Sequence, residues 1–319
     1  MSSINSPSPL KLAFVFPGQG AQSVGMGRDL YENSAAARTA FEAVDAACGF
    51  TVSEICFEGL EETLKATRNT QPALFAVSVA ALAACGEAGL IPSAAAGHSI
   101  GEYAALVAAG ALSVTAGGRL VKARGEAMAE AAGARPGTMA AVLGLDADIV
   151  AEVCRQVNHV GVAVVANLNS PGQIVISGEV NAVNEASLLL KEKGAKRVLP
   201  LAVSGAFHSP LMEPAAYVMK GVLELTEVSD PTIPIVANVT ASYETNAAEV
   251  KANLAAQVAG PVRWIETIER LTADGYNTFI ECGPGSVLAG LIKRIAPDAK
   301  TYGVSDTASL KTAVEALSL

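Results

Sequence analysis

The sequence has little charge and few aromatic side chains. Of its 319 residues, 17% are charged and 5% are aromatic, whereas an average soluble domain has about 25% charged residues. Hydrophobic residues make up 51%, and the mean hydropathy is +0.37. This composition excludes an intrinsically disordered chain, which is rich in charge and poor in apolar residues. The length predicts roughly two domains, or one large domain with an insertion.

The sequence also lacks an apolar run long enough to span a membrane. The longest run, Ala73–Cys85, is interrupted by Ser78, whereas a spanning helix needs about 20 mostly apolar residues. Residues 1–9 are rich in Ser and Pro and have no basic segment followed by an apolar one, so we expect a disordered tail rather than a signal peptide. We therefore expect a cytoplasmic protein that does not bind membranes.

The sequence also lacks an excess of basic residues and has no closely spaced pair of cysteines. The chain has 22 Lys and Arg against 31 Asp and Glu, a net charge of −9, which excludes a generally basic surface for nucleic acid. Its five cysteines are widely spread, and none stands in a Cys-x-x-Cys pair. This pattern predicts neither a disulfide framework nor a metal site, and it favours a reducing compartment.

The hydrophobic pattern changes character at residues 133–137. Before this break, a strand over 11–16 enters a Gly-rich loop, and a helix that is apolar on every face is predicted over 70–84. Residues 138–201 predict the order βαββαβ of a ferredoxin-like unit. Strands and helices alternate again from a strand over 233–238, which indicates a mainly parallel sheet. We predict an α/β fold with a body of residues 10–133 and 205–319 and an inserted ferredoxin-like subdomain of residues 134–204.

The segment Gly97–Gly101 matches the pattern Gly-x-Ser-x-Gly. In a nucleophile elbow the serine occupies a strained turn between a strand and a helix, and the glycines leave room for neighbouring backbone. A weak strand over 94–96 and a helix from Glu102 favour an elbow over an ordinary loop. The Ser99 hydroxyl would then lie at a helix N-terminus, where developing negative charge is stabilised. Ser99 is the candidate nucleophile.

Only three histidines are available as a base for Ser99. His98 is its neighbour and is expected to point elsewhere, and His159 lies in a polar turn and is expected to be exposed. His208 follows small residues where the chain returns to the body, and it is the predicted base. No Asp or Glu follows a body strand between Ser99 and His208, so we expect a carbonyl to orient the histidine, unlike in an ordinary esterase.

Seven segments, in this order, closely resemble the malonyl-CoA:acyl carrier protein transacylase family, and the resemblance covers residues 11 to about 295. The segments are Phe14–Gly20, Thr70–Leu74, Gly97–Tyr103, Arg124–Met128, Asn169–Gln173, Gly205–Ser209 and Glu281–Gly285. The resemblance implies a hydrolase-like body with a ferredoxin-like insertion. It also implies transfer of a malonyl group from malonyl-CoA to the pantetheine thiol of acyl carrier protein in fatty acid biosynthesis, with no cofactor beyond the coenzyme A thioester substrate.

The resemblance also implies the catalytic roles. Ser99 would be the acylated nucleophile of a ping-pong reaction, and His208 would be its base. The backbone N–H groups of Gln19 and Ile100 would form the oxyanion hole. Gln257 would supply the carbonyl that orients His208.

Three further residues would bind the malonyl group. Arg124 would pair with its free carboxylate, since a guanidinium matches a carboxylate with two parallel hydrogen bonds. Gln71 would line the pocket, and Phe207 would stand where the α-methyl branch of methylmalonyl has to go. From the residues alone, Arg124 is better interpreted as a solvated surface charge, which only the family motif overturns, and Phe207 could simply be a core side chain.

An acidic carrier protein needs a local positive surface on a chain of net charge −9. Lys196 and Arg197 lie with Lys191 and Lys193 at the end of the predicted insertion's second helix and the start of its last strand. The same lysines would complement a helix dipole whatever their partners are, so both interpretations stand.

Three other functions stay open on the sequence alone. They are a serine esterase of the same fold, a trans-acting acyltransferase of a polyketide pathway and a non-catalytic subunit that binds acyl thioesters. An ordinary esterase has an acid as the third member of its catalytic triad. The lack of a suitable acid here and the presence of Arg124 argue against the esterase. The pair Ser99 and His208 argues against the non-catalytic subunit.

Overall fold

Five strands form a parallel sheet whose three central strands are buried on both faces. The computed structural model describes residues 11–317, so the tail predicted for residues 1–9 lies outside the described residues. In spatial order the strands are β7 (Ile235–Val236), β2 (Ala94–Gly97), β1 (Leu12–Phe16), β8 (Thr278–Cys282) and β9 (Lys300–Val304). Every residue of β1, β2 and β8 is buried, as in sheets with helices on both sides.

Fourteen α-helices lie within residues 11–317. They are α1 (Arg28–Asn33), α2 (Ala35–Cys48), α3 (Val52–Glu58), α4 (Glu61–Lys65), α5 (Thr67–Glu87), α6 (Gly101–Ala108), α7 (Val114–Ala134), α8 (Ala147–Gln156), α9 (Val180–Glu192), α10 (Glu213–Glu224), α11 (Ala247–Gln257), α12 (Trp264–Ala273), α13 (Val287–Ile295) and α14 (Thr307–Leu317).

Alternate residues of β1 serve two separate cores. Phe14 and Phe16 belong to the larger core, which includes α2, α5 and α7, whereas Ala13 and Val15 pack with α12 and α13 around Trp264. Successive strand residues point to opposite faces, so this strand joins both helical layers to one sheet. The α/β class predicted from the sequence, with a mainly parallel sheet, is confirmed.

Helix α5 is a long, mostly buried helix of the larger core. It is the one helix among residues 11–317 that is long and apolar enough to cross a membrane, and most of it is buried inside the protein. The sequence predicts this helix over 70–84, whereas it extends over Thr67–Glu87 and contains Pro72. Thr70 therefore lies inside the helix rather than at its start, and its hydroxyl donates a hydrogen bond to the carbonyl oxygen of Leu64.

A second, antiparallel sheet is formed by the middle of the chain. Its strands are β3 (Thr138–Leu143), β4 (Ala163–Ser170), β5 (Gln173–Gly178) and β6 (Arg197–Pro200), in the spatial order β4-β5-β3-β6. Helices α8 and α9 share a separate hydrophobic core with this sheet. The predicted order of strands and helices in this region is confirmed.

Backbone hydrogen bonds join the antiparallel sheet to the rest of the fold. The N–H of Leu168 in β4 donates to the carbonyl oxygen of Val262, and the N–H of Val262 donates to that of Ala166. The strand predicted over 233–238 is wrong in length, since only Ile235 and Val236 pair with β2. The chain leaves the sheet after Val236. The side chain of Asn238 then forms hydrogen bonds with the turn after β2.

Candidate active site

Ser99 lies in the turn between β2 and α6. Its φ of +52° is a left-handed conformation that a non-glycine residue rarely adopts. A Cβ on Gly97 would lie 2.0 Å from the carbonyl carbon of Gly101, and one on Gly101 would lie 2.1 Å from the carbonyl oxygen of Phe16. Both glycines of the pattern are therefore required by close backbone approach, and the geometry is that of the predicted elbow.

Asn238, which follows β7, forms two hydrogen bonds with the backbone of this turn. Its Oδ1 accepts a hydrogen bond from the N–H of Ser99 at 2.7 Å, and its Nδ2 donates to the carbonyl oxygen of Gly97 at 2.6 Å. Sequence reasoning missed this residue. A polar side chain at the carboxyl end of a body strand is the signal that points to it, because functional groups collect at that edge of parallel sheets.

His208 meets the Ser99 hydroxyl directly. Its Nε2 lies 2.8 Å from Ser99 Oγ, and its Nδ1 lies 2.9 Å from the carbonyl oxygen of Gln257 and 3.0 Å from that of Gly260. Because both neighbours of Nδ1 are acceptors, the proton resides on Nδ1, and Nε2 is left to accept the serine proton. The orienting groups are two backbone carbonyls, of which the family resemblance implied the one from Gln257.

The surroundings of His208 favour its neutral form. Burial, and after it the positive charge of Arg124, lowers the pKa of His208 to about 3. A neutral imidazole with a free Nε2 lone pair is the form that removes a proton from a hydroxyl. The pair is therefore set up for nucleophilic attack by Ser99.

Arg124 reaches the same point from the middle of α7. Only 1% of it is exposed, and it donates to Gln71 Oε1 at 2.8 Å, to Gln257 Oε1 at 2.8 Å and to Ser99 Oγ at 3.1 Å. All three acceptors are uncharged, and none of the ion pairs within residues 11–317 involves Arg124. A buried cation without a counter-charge is costly, so this site complements a ligand that brings a carboxylate.

A cavity of about 100 Å³ opens onto these groups. It lies between the two sheets, because Met139 and Asn167 of the antiparallel sheet face Ser99 across it. Of the residues predicted for the site, the lining contains Gln19, Gln71, Ser99, Arg124, Phe207 and His208. Arg124 is thus no surface charge.

The two backbone N–H groups predicted for the oxyanion hole lie on either side of the elbow. Gln19 lines the cavity from the loop after β1, and Ile100 follows Ser99 and is the N-cap residue of α6. Neither N–H donates a hydrogen bond to an acceptor in the described part of the chain. An N–H pair beside a nucleophile is the arrangement that stabilises the charge of a tetrahedral intermediate.

The other two histidines take no part in this pair. His98 is half-buried and packs beside Trp264, and its Nε2 lies 2.8 Å from Asn169 Oδ1 in β4, a partner distant in sequence. It makes no hydrogen bond to Ser99 or His208, but it lines the same cavity. His159 is exposed, as predicted, and lies 3.5 Å from Glu185.

Lys196 and Arg197 lie apart from the cavity at the start of β6, where both side chains are exposed.

Within residues 11–317, no group of three or more His, Cys, Asp or Glu is arranged to hold a metal ion. The five cysteines are buried free thiols.

Comparison with known proteins places this geometry in a family. The model of the acyl transferase domain matches residues 13–310. A malonyl CoA-acyl carrier protein transacylase of Bacillus subtilis is 48% identical over 308 residues, which cover 96% of this chain and 97% of that protein.

Two solved structures share the fold at similar identity. An acyl-carrier-protein-S-malonyltransferase from Bartonella henselae superposes with a TM-score of 0.93 at 45% identity, over 97% of this chain and all of that one. A malonyl-transacylase solved in complex with its type II PKS acyl-carrier protein gives a TM-score of 0.92 at 42% identity, over 96% and 99% of the chains. Near-complete coverage at this identity means that the chain belongs to the malonyl-CoA:acyl carrier protein transacylase family.

Proposed function

We propose that the protein transfers a malonyl group from malonyl-CoA to the pantetheine thiol of an acyl carrier protein in fatty acid biosynthesis. The observation that carries this proposal is the buried guanidinium of Arg124, 3.1 Å from Ser99 Oγ and without a carboxylate partner in residues 11–317. A carboxylate on the acyl group would supply the missing charge while its thioester carbon lies next to the nucleophile. Malonyl meets this requirement, and acetyl does not.

In the first half-reaction, Ser99 Oγ attacks the thioester carbon while its proton passes to His208 Nε2. The N–H groups of Gln19 and Ile100 stabilise the oxyanion. Collapse breaks the carbon–sulfur bond, and His208 returns the proton to the leaving thiolate, which releases coenzyme A. A malonyl ester on Ser99 remains.

In the second half-reaction, the pantetheine thiol gives its proton to His208 and attacks the ester carbon. The carbon–oxygen bond breaks, and Ser99 regains its proton from His208. The two half-reactions use one site in turn, which is a ping-pong scheme. Proton transfer, oxyanion binding and carboxylate binding are all supplied by the chain, so we propose that no metal or additional cofactor takes part.

Intact-mass measurement after incubation with malonyl-CoA tests the function directly. We expect a covalent adduct of one malonyl group, which disappears when acyl carrier protein in its pantetheine form is added and appears on that protein. Hydrolysis of simple esters without an adduct would favour a serine esterase instead. Tight binding of malonyl-CoA without either reaction would favour a non-catalytic subunit.

A polyketide pathway is the second candidate context, and the neighbour solved with a type II PKS carrier favours it. The chemistry at Ser99 is the same in both contexts, and only the carrier differs. Comparing the rate of transfer to a fatty-acid carrier with that to a polyketide carrier discriminates the two. We propose the fatty-acid carrier as the faster partner, and a cytoplasmic location.

We further propose the finer architecture predicted from the sequence, with a hydrolase-like body of residues 10–133 and 205–319 and a ferredoxin-like insertion of residues 134–204. The order βαββαβ, with the fourth strand beside the first and the third between the first and second, supports the insertion. The end of α7 at Ala134 and of β6 at Pro200 supports its bounds.

The protonation state of His208 gives a prediction for the pH dependence. For acylation of the free protein by acetyl-CoA, we expect kcat/KM to show no loss from His208 protonation between about pH 8 and pH 5. The reason is the pKa of about 3, which keeps the imidazole neutral throughout this range. Replacing Arg124 with alanine removes a charge that lowers this pKa, so the acid limb should move to higher pH. A wild-type limb centred near pH 6.5 would contradict the prediction.

Lys196 and Arg197 are proposed to dock the carrier. Replacing both with glutamate should lower kcat/KM for transfer to acyl carrier protein about tenfold at low salt and less at high salt, because attraction between exposed charges is screened. Acylation by malonyl-CoA should stay unchanged. The matched control is the exposed pair Lys220→Glu and Lys300→Glu, with the same change of net charge. Equal effects of the two pairs would remove the docking role.

A further inference from the structure

Glu102 is a buried acid next to the active site that the proposed reaction does not use. It lies in the first turn of α6, and none of its surface is exposed. Its Oε2 accepts hydrogen bonds from Gln257 Nε2 at 2.9 Å and from the N–H of Asn238 at 3.0 Å. Burying a carboxyl group costs free energy, which indicates that Glu102 has a role at this position.

The contacts of Gln257 connect Glu102 to Arg124. Gln257 Nε2 donates to Glu102 Oε2 and to the carbonyl oxygen of Ser99, both at 2.9 Å, while its Oε1 accepts from Arg124 at 2.8 Å. If the amide were rotated by 180°, its oxygen would face two acceptors and its NH₂ group would face a guanidinium. The network therefore allows one orientation of the amide only.

We propose that Glu102 is a positioning residue, which fixes the amide of Gln257 with its oxygen toward Arg124 and so holds the guanidinium beside Ser99, ready for an acyl carboxylate. This inference rests on the proposed malonyl transfer. Without Glu102, the carbonyl oxygen of Ser99 alone would orient the amide. Arg124 would then lose a firmly oriented acceptor on one side of its guanidinium.

Acting through Gln257 has a consequence that a direct ion pair would not have. A carboxylate bound to Arg124 would cancel its charge and occupy the N–H groups that a malonyl carboxylate needs. Gln257 offers only a neutral oxygen, which orients the guanidinium and leaves its charge uncompensated. An incoming carboxylate can then displace weak partners rather than a strong one.

Glu244 is a second buried carboxyl group, and its charge acts on Glu102. Glu102 Oε1 and Glu244 Oε2 are both buried, and neither has a hydrogen-bond partner among residues 11–317. Burial, and after it the charge of Glu244, raises the pKa of Glu102 to about 8. A protonated Glu102 keeps its bond from Gln257 and adds no negative charge near Arg124. Glutamine at position 102 would reproduce this neutral state in the same shape.

Three variants test the proposal through the ratio of kcat/KM for Ser99 acylation by malonyl-CoA to that by acetyl-CoA. Glu102→Leu has a similar volume but no acceptor, and we expect it to lower the ratio about tenfold. Glu102→Asp places its carboxyl one carbon short of Gln257 and should act in the same direction if the leucine variant does not fold. Glu102→Gln should keep the ratio within about twofold of wild type.

The ratio separates positioning from general damage. A distorted elbow slows both substrates equally and leaves the ratio unchanged, so an unchanged ratio in the leucine or aspartate variant overturns the proposal. A glutamine variant that loses as much preference as the leucine variant overturns it too. If the wild-type protein itself forms no malonyl adduct, the proposed function fails and this inference falls with it.

Discussion

Replacing Ser99 with alanine is expected to abolish the malonyl adduct completely. The side-chain oxygen is the atom that forms the ester, and it is the acceptor to which Arg124 donates and the partner of His208 Nε2 at 2.8 Å. Removing one oxygen leaves the turn intact, because Asn238 holds the backbone of the elbow rather than the side chain. Intact-mass measurement after incubation with malonyl-CoA reads the result.

Two companion variants sharpen this test. Ser204→Ala removes the hydroxyl of another serine in the loop before His208 and should leave the adduct at its wild-type level. His208→Ala should form the same adduct about 10² to 10⁴ times more slowly, because the hydroxyl then has no base. An adduct on the Ser99→Ala protein would move the nucleophile to another residue, and wild-type rates in the His208→Ala protein would remove that histidine from its role.

The local part of this site could be predicted from the sequence. A strand, two glycines around a serine and a helix start occupy consecutive residues, and steric rules alone link that pattern to the elbow. His208 could be predicted as the base because the chain has only three histidines. The roles of Arg124 and Gln257 came from the family resemblance, since nothing in the spacing of an arginine on a helix distinguishes a buried cation from an exposed one.

The network behind the site could not be predicted in the same way. Glu102 contacts the N–H of Asn238 and the amide of Gln257, which are 136 and 155 residues away. No local periodicity encodes such a contact, and a glutamate on a helix is usually solvated. Two backbone carbonyls thus orient His208 where an ordinary esterase has an acid, while a buried acid is proposed to act on the arginine side of the site.

The charge of Arg124 is the proposed physical basis of substrate choice. Losing one partner of a buried ion pair costs about 3–5 kcal/mol, so an acyl group without a carboxylate forfeits that interaction in the transition state. Phe207, 6% exposed, lies in the cavity lining, where its ring is proposed to exclude an α-methyl branch. We therefore propose that discrimination between malonyl and acetyl depends on the guanidinium, and that between malonyl and methylmalonyl on the ring.

Arg124→Ala should accordingly lower kcat/KM for acylation by malonyl-CoA by a factor of about 10² or more and raise the relative rate with acetyl-CoA. The matched control is Arg119→Ala, an exposed arginine on the same helix, which should change neither rate. The two substrates are compared as a ratio, so a general loss of folded protein cancels. If the Arg124→Ala protein kept its full preference for malonyl over acetyl, the carboxylate would be bound elsewhere, and the proposed substrate would lose its main support.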